Sequence, residues 1–140
     1  MTIQWDRIIT AETRDAAALT QAKAAAHAAL AARIAAARSA LITDLPGQQM
    51  IYLAKEAEAR AWLADPAPDL AAYPLLAAEV GLTAPDATAL AQVWLNMALL
   101  WRNSAAGLEA TRLAQGAAID AATTVAEVRA VGDGFASSNW

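Results

Sequence analysis

Polar and apolar positions follow two different periods along this chain. In residues 1–9, MTIQWDRII, Ile3 and Trp5 are set apart by single polar residues, the spacing of an extended strand. From residue 11 on, the large apolar residues recur at helical intervals. Leu19, Leu30, Ile34 and Leu41 fall within about 60° of one another at 100° per residue. That is a narrow seam of the coiled-coil kind rather than a broad core face. No Gly or Pro interrupts residues 11–41. Thr10 can cap a helix there, with Glu12 and Asp15 in its first turn, where negative charge suits the helix dipole. The pattern predicts one long helix over residues 11–41.

Beyond the Pro46-Gly47 turn the pattern predicts a second helix over residues 48–64, with Met50, Leu53, Ala54, Ala57 and Ala61 as its inner face. Asp65-Pro66-Ala67-Pro68-Asp69 ends it. A short helix follows over residues 73–80, with Pro74 in the first turn and Gly81 at its C-terminal end. Thr83 and Asp86 read as a capping box for the next helix. That helix carries Leu90, Val93, Trp94, Met97, Trp101 and Leu108 on one side, with Leu95, Leu99 and Leu100 on others. Only Gln92, Asn96 and Asn103 form a polar stripe, so it must be covered from more than one direction. It is expected to continue to residue 122, with Gly107 and Gly116 as points where it could kink. Thr124 and Glu127 form a second capping box, opening a last helix that Gly132-Asp133-Gly134 stops near residue 131. The chain thus divides into an extended attachment segment (1–10), a long helix (11–42), a helical bundle (43–131) and a polar tail (132–140) bearing Phe135 and Trp140.

Composition reinforces this division. Of 140 residues, 42 are alanine, the best helix former and a poor strand former, so the predicted class is all-α: a long alanine-rich N-terminal helix with a coiled-coil-like seam, plus a bundle of three to four helices. Alanine buries little surface, and a helix with so thin a seam needs a partner. Homo-oligomerisation is expected, with Leu19, Leu30, Ile34, Leu41, Trp94, Met97 and Trp101 as interface residues. The net charge of −4 argues against nucleic acid as partner. The longest uncharged run near the tryptophans, residues 87–101, is fifteen residues with Thr88, Gln92 and Asn96 inside it, short of the roughly 20 a membrane span needs. Asp6, Glu12 and Asp15 occupy the place of a signal peptide's basic and apolar regions, so none is expected.

Catalytic chemistry finds little support. There is no cysteine and a single histidine, His27, which excludes thiolate chemistry and multi-histidine metal sites. No carboxylate or hydroxyl lies within helical reach of His27, which reads as a seam-edge residue with its polar tip in water. Lys55, Glu56, Glu58 and Arg60 read as a solvated face with one i,i+4 ion pair. Glu56 and Glu58 are about 200° apart and do not form a paired-carboxylate set. Trp94, Met97 and Trp101 read as core or subunit interface rather than a ligand wall. Trp5 with Ile3, and Phe135 with Trp140, read either as anchors to a neighbouring molecule or as aromatics packed back onto the helices. No phosphate-loop, dinucleotide or nucleophile motif occurs. The chain is read as non-enzymatic, without metal or cofactor.

The runs Pro46-Gly47-Gln48-Gln49-Met50-Ile51-Tyr52-Leu53-Ala54-Lys55, Glu58-Ala59-Arg60, Asp65-Pro66-Ala67-Pro68 and Tyr73-Pro74-Leu75-Leu76-Ala77-Ala78-Glu79-Val80-Gly81 resemble a helical module of tailed-bacteriophage and prophage tail-fibre or tail-fibre-assembly proteins. Trp101 and Ile119-Asp120-Ala121-Ala122-Thr123-Thr124 fit the same pattern, and the likeness spans residues 45–131. It implies a structural virion component, a small tail or head fibre or an adaptor docking one. Such a part works as a homo-oligomer, a trimer being favoured, bound to other phage structural proteins. The alternative it implies is an assembly chaperone that binds a fibre and leaves. The β-rich part of longer members is missing here or reduced to MTIQWDRII, and no functional residue transfers.

Overall fold

The computed structural model describes residues 10–43 and 45–136. Ile3, Trp5 and Trp140 lie outside them. The described chain is all-α: α1 (Ala11–Ala40), α2 (Gln48–Ala64), a 3₁₀ turn (Leu70–Ala72), α3 (Pro74–Glu79), α4 (Ala87–Ala121) and α5 (Val125–Ala136). It divides into two compact units, one of residues up to Arg38 and from Leu108 on, the other of Ser39–Gly107.

In the first unit, Thr10 caps α1 as its sequence suggests, its Oγ1 accepting from the Thr13 N–H at 3.1 Å. The middle of the α1 seam is satisfied within this unit. Leu30 and Ile34 are buried against Leu108, Ile119 and Phe135, with Ala26, Ala37 and Val131 packed around them. Burying each of the two contributes about 1.5–3 kcal/mol. The capping box before α5 forms reciprocally. The Glu127 N–H donates to Thr124 Oγ1 at 3.1 Å, and Glu127 Oε2 accepts from the Thr123 and Thr124 N–H groups.

The last helix outruns its expected stop. It continues through Gly132 and Gly134 to Ala136 and buries Phe135, which is core rather than a surface anchor. Val128, Val131 and Phe135 share one helical face. Two interior glycines cost about 1 kcal/mol each, whereas burying Val128 and Phe135 contributes about 1.5–3 kcal/mol each, and burial wins.

In the second unit, Gly47 (φ +81°) and Gly81 (φ +85°) take the left-handed turn conformation on either side of the α2–α3 segment. Pro74 sits in the first turn of α3. The core is Ala59, Leu76, Ala84, Leu90, Ala91 and Trp94. Trp62 and Tyr73 pack against it in a T-shaped pair, centroids 5.3 Å apart. Two details differ from the sequence pattern. Asp86 itself caps α4, accepting from the Ala89 N–H at 2.8 Å, while the Thr83 hydroxyl turns to Glu79. And α2 buries the face of Lys55, Glu58, Ala59 and Trp62, leaving Met50, Leu53, Ala54, Ala57 and Ala61 exposed. The polar groups of α2 find partners inside the unit, as the geometry below shows, and their pairing outweighs the preference of a sparse Met–Leu–Ala stripe for burial.

Candidate functional site

Three arrangements of side chains stand out, the first a polar cluster in the second unit. Lys55 from α2 pairs with Glu79 at the end of α3, both side chains about three-quarters buried. The Lys55 ammonium also lies 4.9 Å above the Trp94 ring centroid. Glu79 further accepts from Thr83 Oγ1 at 2.8 Å and from Trp94 Nε1 at 3.2 Å. Burial raises the Glu79 pKa, but the hydrogen bonds from Lys55, Thr83 and Trp94 together outweigh it, and the carboxyl is held below its ordinary value. Glu58 accepts from the Leu75 and Leu76 N–H groups, both at 3.0 Å, and so caps α3 from the neighbouring helix. A carboxylate with three donors already on it is poorly placed to take a substrate proton. This cluster ties α2, α3 and α4 together.

The second arrangement lies in the first unit, between α1 and the end of α4. His27 Nε2 and Asp120 Oδ1 are 2.8 Å apart, and Lys23 Nζ donates to the Asp120 carbonyl at 2.6 Å. The sequence reading left His27 without a carboxylate, because Asp120 reaches it only through the antiparallel packing of α4. A Cβ at Gly116 would lie 3.8 Å from the His27 ring, an ordinary contact, so the two helices meet here without depending on the glycine. The adjoining open groove, about 470 Å³, is lined by Leu30, Ala31, Arg112, Leu113, Gly116 and Ala117 besides the pair. A His–Asp pair acts in nucleophilic catalysis through a hydroxyl or thiol, and this lining offers neither. One helical turn away, Glu109 bridges Arg112 (2.6 and 3.0 Å) and Arg38 (2.6 Å). Its pKa falls to about 2, first through the Arg112 hydrogen bond, against the opposing effect of burial, and further through Arg38. Among the described residues no group of three His, Asp or Glu side chains could hold a metal ion, and no helix is long and apolar enough to cross a membrane.

The third arrangement is apolar. On α4, Met97 is 64% exposed, Leu100 67% and Trp101 49%; on α2, Met50 is 76% and Leu53 70% exposed. Val93 and Leu99 are exposed as well. Val93, Met97, Leu100 and Trp101 fall within about 100° of one another on α4, and an exposed apolar stripe marks an interaction site.

The residues expected to make contacts therefore separate into groups. Leu30 and Ile34 are buried inside the first unit and Leu19 is half-buried there. Trp94 is buried in the second unit, against Glu79 and Lys55. Leu41, Met97 and Trp101 face solvent. Sequence reasoning missed Trp62, whose Nε1 donates to Thr88 Oγ1 at 3.0 Å, and the inward roles of Lys55 and Glu58. A signal was present: Lys55, Ala59 and Trp62 recur at i, i+4 and i+7 around a small residue, the spacing of a packed face. No protein family, curated protein or solved structure matches the chain.

Proposed function

We propose that this chain is a non-enzymatic structural component of a phage or phage-like particle, a small tail or head fibre or an adaptor docking one, that works by helix–helix self-association. The observation that supports it best is the row of exposed Val93, Met97, Leu100 and Trp101 on α4, with Met50 and Leu53 exposed on α2 as well. Surface of this kind suits permanent contact with protein. The polar clusters are consistent with the same reading, since their charges are consumed in holding helices together. The particle assignment rests on the resemblance of residues 45–131 to the phage module. In this reading Ile3 and Trp5 attach the chain to another structural protein of the particle.

Mass spectrometry of purified particles from a strain carrying the gene tests the proposal. Stable stoichiometric presence of the chain is the expected result. Absence from particles, together with recovery from lysate bound to a fibre, overturns it in favour of an assembly chaperone.

A further inference from the structure

We propose that Val93, Met97, Leu100, Ser104 and Gly107 on α4 form a two-fold, antiparallel seam with a second copy of this chain. This rests on the reading of the chain as a self-associating element and names the surface that does it.

The spacing comes first. These five positions follow one another at intervals of four, three, four and three, the a and d positions of two heptads. All five are exposed. They lie within about 80° of one another on the helix, to one side of the buried Leu90, Ala91 and Trp94.

The sizes then select the direction. The stripe is bulky at its start (Val93, Met97, Leu100) and small at its end (Ser104, Gly107). A parallel copy sets Met97 against Met97 and leaves a gap where glycine meets glycine. An antiparallel copy with its axis at Leu100 sets Val93 over the partner's Gly107 and brings Met97 beside the partner's Ser104, so large meets small on either side of a central Leu100 pair. Gly107 is otherwise unexplained. Glycine inside a helix is less favourable than alanine, and a Cβ there would meet nothing within 4 Å in this chain. Close approach of a partner helix gives the position a reason.

Charge selects the occupant. The chain carries a net −4, so two copies meet with least repulsion where acidic groups are absent. Between Asp86 and Glu109 there is one charged residue, Arg102, and Glu56 of α2 already pairs with it. A cationic or anionic partner finds nothing here to pair with. The border of the stripe is lined by Gln92, Asn96 and Asn103, amides that donate and accept alike and so complement their own copies. Gln92 and Asn96 are already aligned, 3.0 Å apart.

Because the chain has no cysteine, introduced thiols are its only ones. Under mild oxidation Leu100→Cys is expected to cross-link into a covalent dimer. Val93→Cys alone is expected not to, its two copies lying about 21 Å apart along the seam, whereas a mixture of Val93→Cys with Gly107→Cys is expected to give the cross-linked heterodimer. Val93→Cys cross-linking as readily as Leu100→Cys overturns the proposal. Met97→Glu, at an exposed position, is expected to weaken association at least 100-fold in analytical ultracentrifugation with helicity unchanged by circular dichroism. If Met97→Glu leaves the oligomer intact, the seam is wrong and self-association stands. A wild-type chain that sediments as a 14.5 kDa monomer at 100 µM overturns both.

Discussion

Glu79 illustrates how a single residue's partners decide its role. Its carboxylate accepts from Lys55, Thr83 and Trp94, and Lys55 in turn covers the Trp94 ring. Glu79→Gln keeps the shape and removes the charge, leaving a largely buried ammonium without its counter-ion. The expected loss is about 1–3 kcal/mol in urea unfolding. Arg60→Gln, which breaks a more exposed pair with Glu56, is expected to cost under about 1 kcal/mol. Equal losses would refute the special role of Glu79. Glu109 offers a pH-dependent counterpart. Its folded pKa, about 2, lies below the ordinary 4.5, so the folded state favours the ionised form. That contribution is complete above pH 4.5 and drains away as pH falls from there through about 2. The stability gap between wild type and Glu109→Gln is therefore expected to be constant from pH 7 to 5 and to shrink below 4.5. A gap that persists unchanged at pH 2.5 would contradict the assignment.

At the scale of elements, the glycines separate turn from helix. Gly81 has φ +85° after α3, where an L side chain is strained. Gly132 lies inside α5, where a Cβ would meet nothing within 4 Å. Gly81→Ala is thus expected to destabilise by about 1–2 kcal/mol, and Gly132→Ala to stabilise by about 0.5–1 kcal/mol. Thermal melts of the two variants should move in opposite directions. Phe135→Ala removes the side chain that carries α5 past its glycines and is expected to cost about 3–5 kcal/mol. A loss under 1 kcal/mol would show that the end of α5 is dispensable.

For the whole molecule, net charge and apolar surface oppose one another. Copies carrying −4 each repel, while the α4 stripe is free of acidic groups. Self-association is therefore expected to tighten as salt rises from 10 to 150 mM, because the screening length falls from about 30 to about 8 Å. An oligomer held by ion pairs across the contact would weaken instead, and sedimentation at the two salt concentrations separates the cases. The trimer implied by the phage resemblance and the two-fold seam differ in mass, so the same runs choose between them.

Alanine content, glycine-free stretches, the Pro46-Gly47 turn and the Thr124–Glu127 box determined the all-α class, the α2 bounds and most helix starts, because these depend on local propensity and on groups within a few residues. The same local information marked Met97 and Trp101 as apolar positions of α4, and both are exposed. What it could not decide was which face of each helix turns inward. Lys55 and Glu58 point into the second unit because Glu79 and the start of α3 await them there, and His27 meets Asp120 because α4 returns beside α1. Phe135 is buried because Leu30 and Ile34 leave a place for it. In a chain so rich in alanine the long helices α1 and α4 offer several faces of nearly equal hydrophobicity, and the few polar and bulky side chains choose among them only when their distant partners are present.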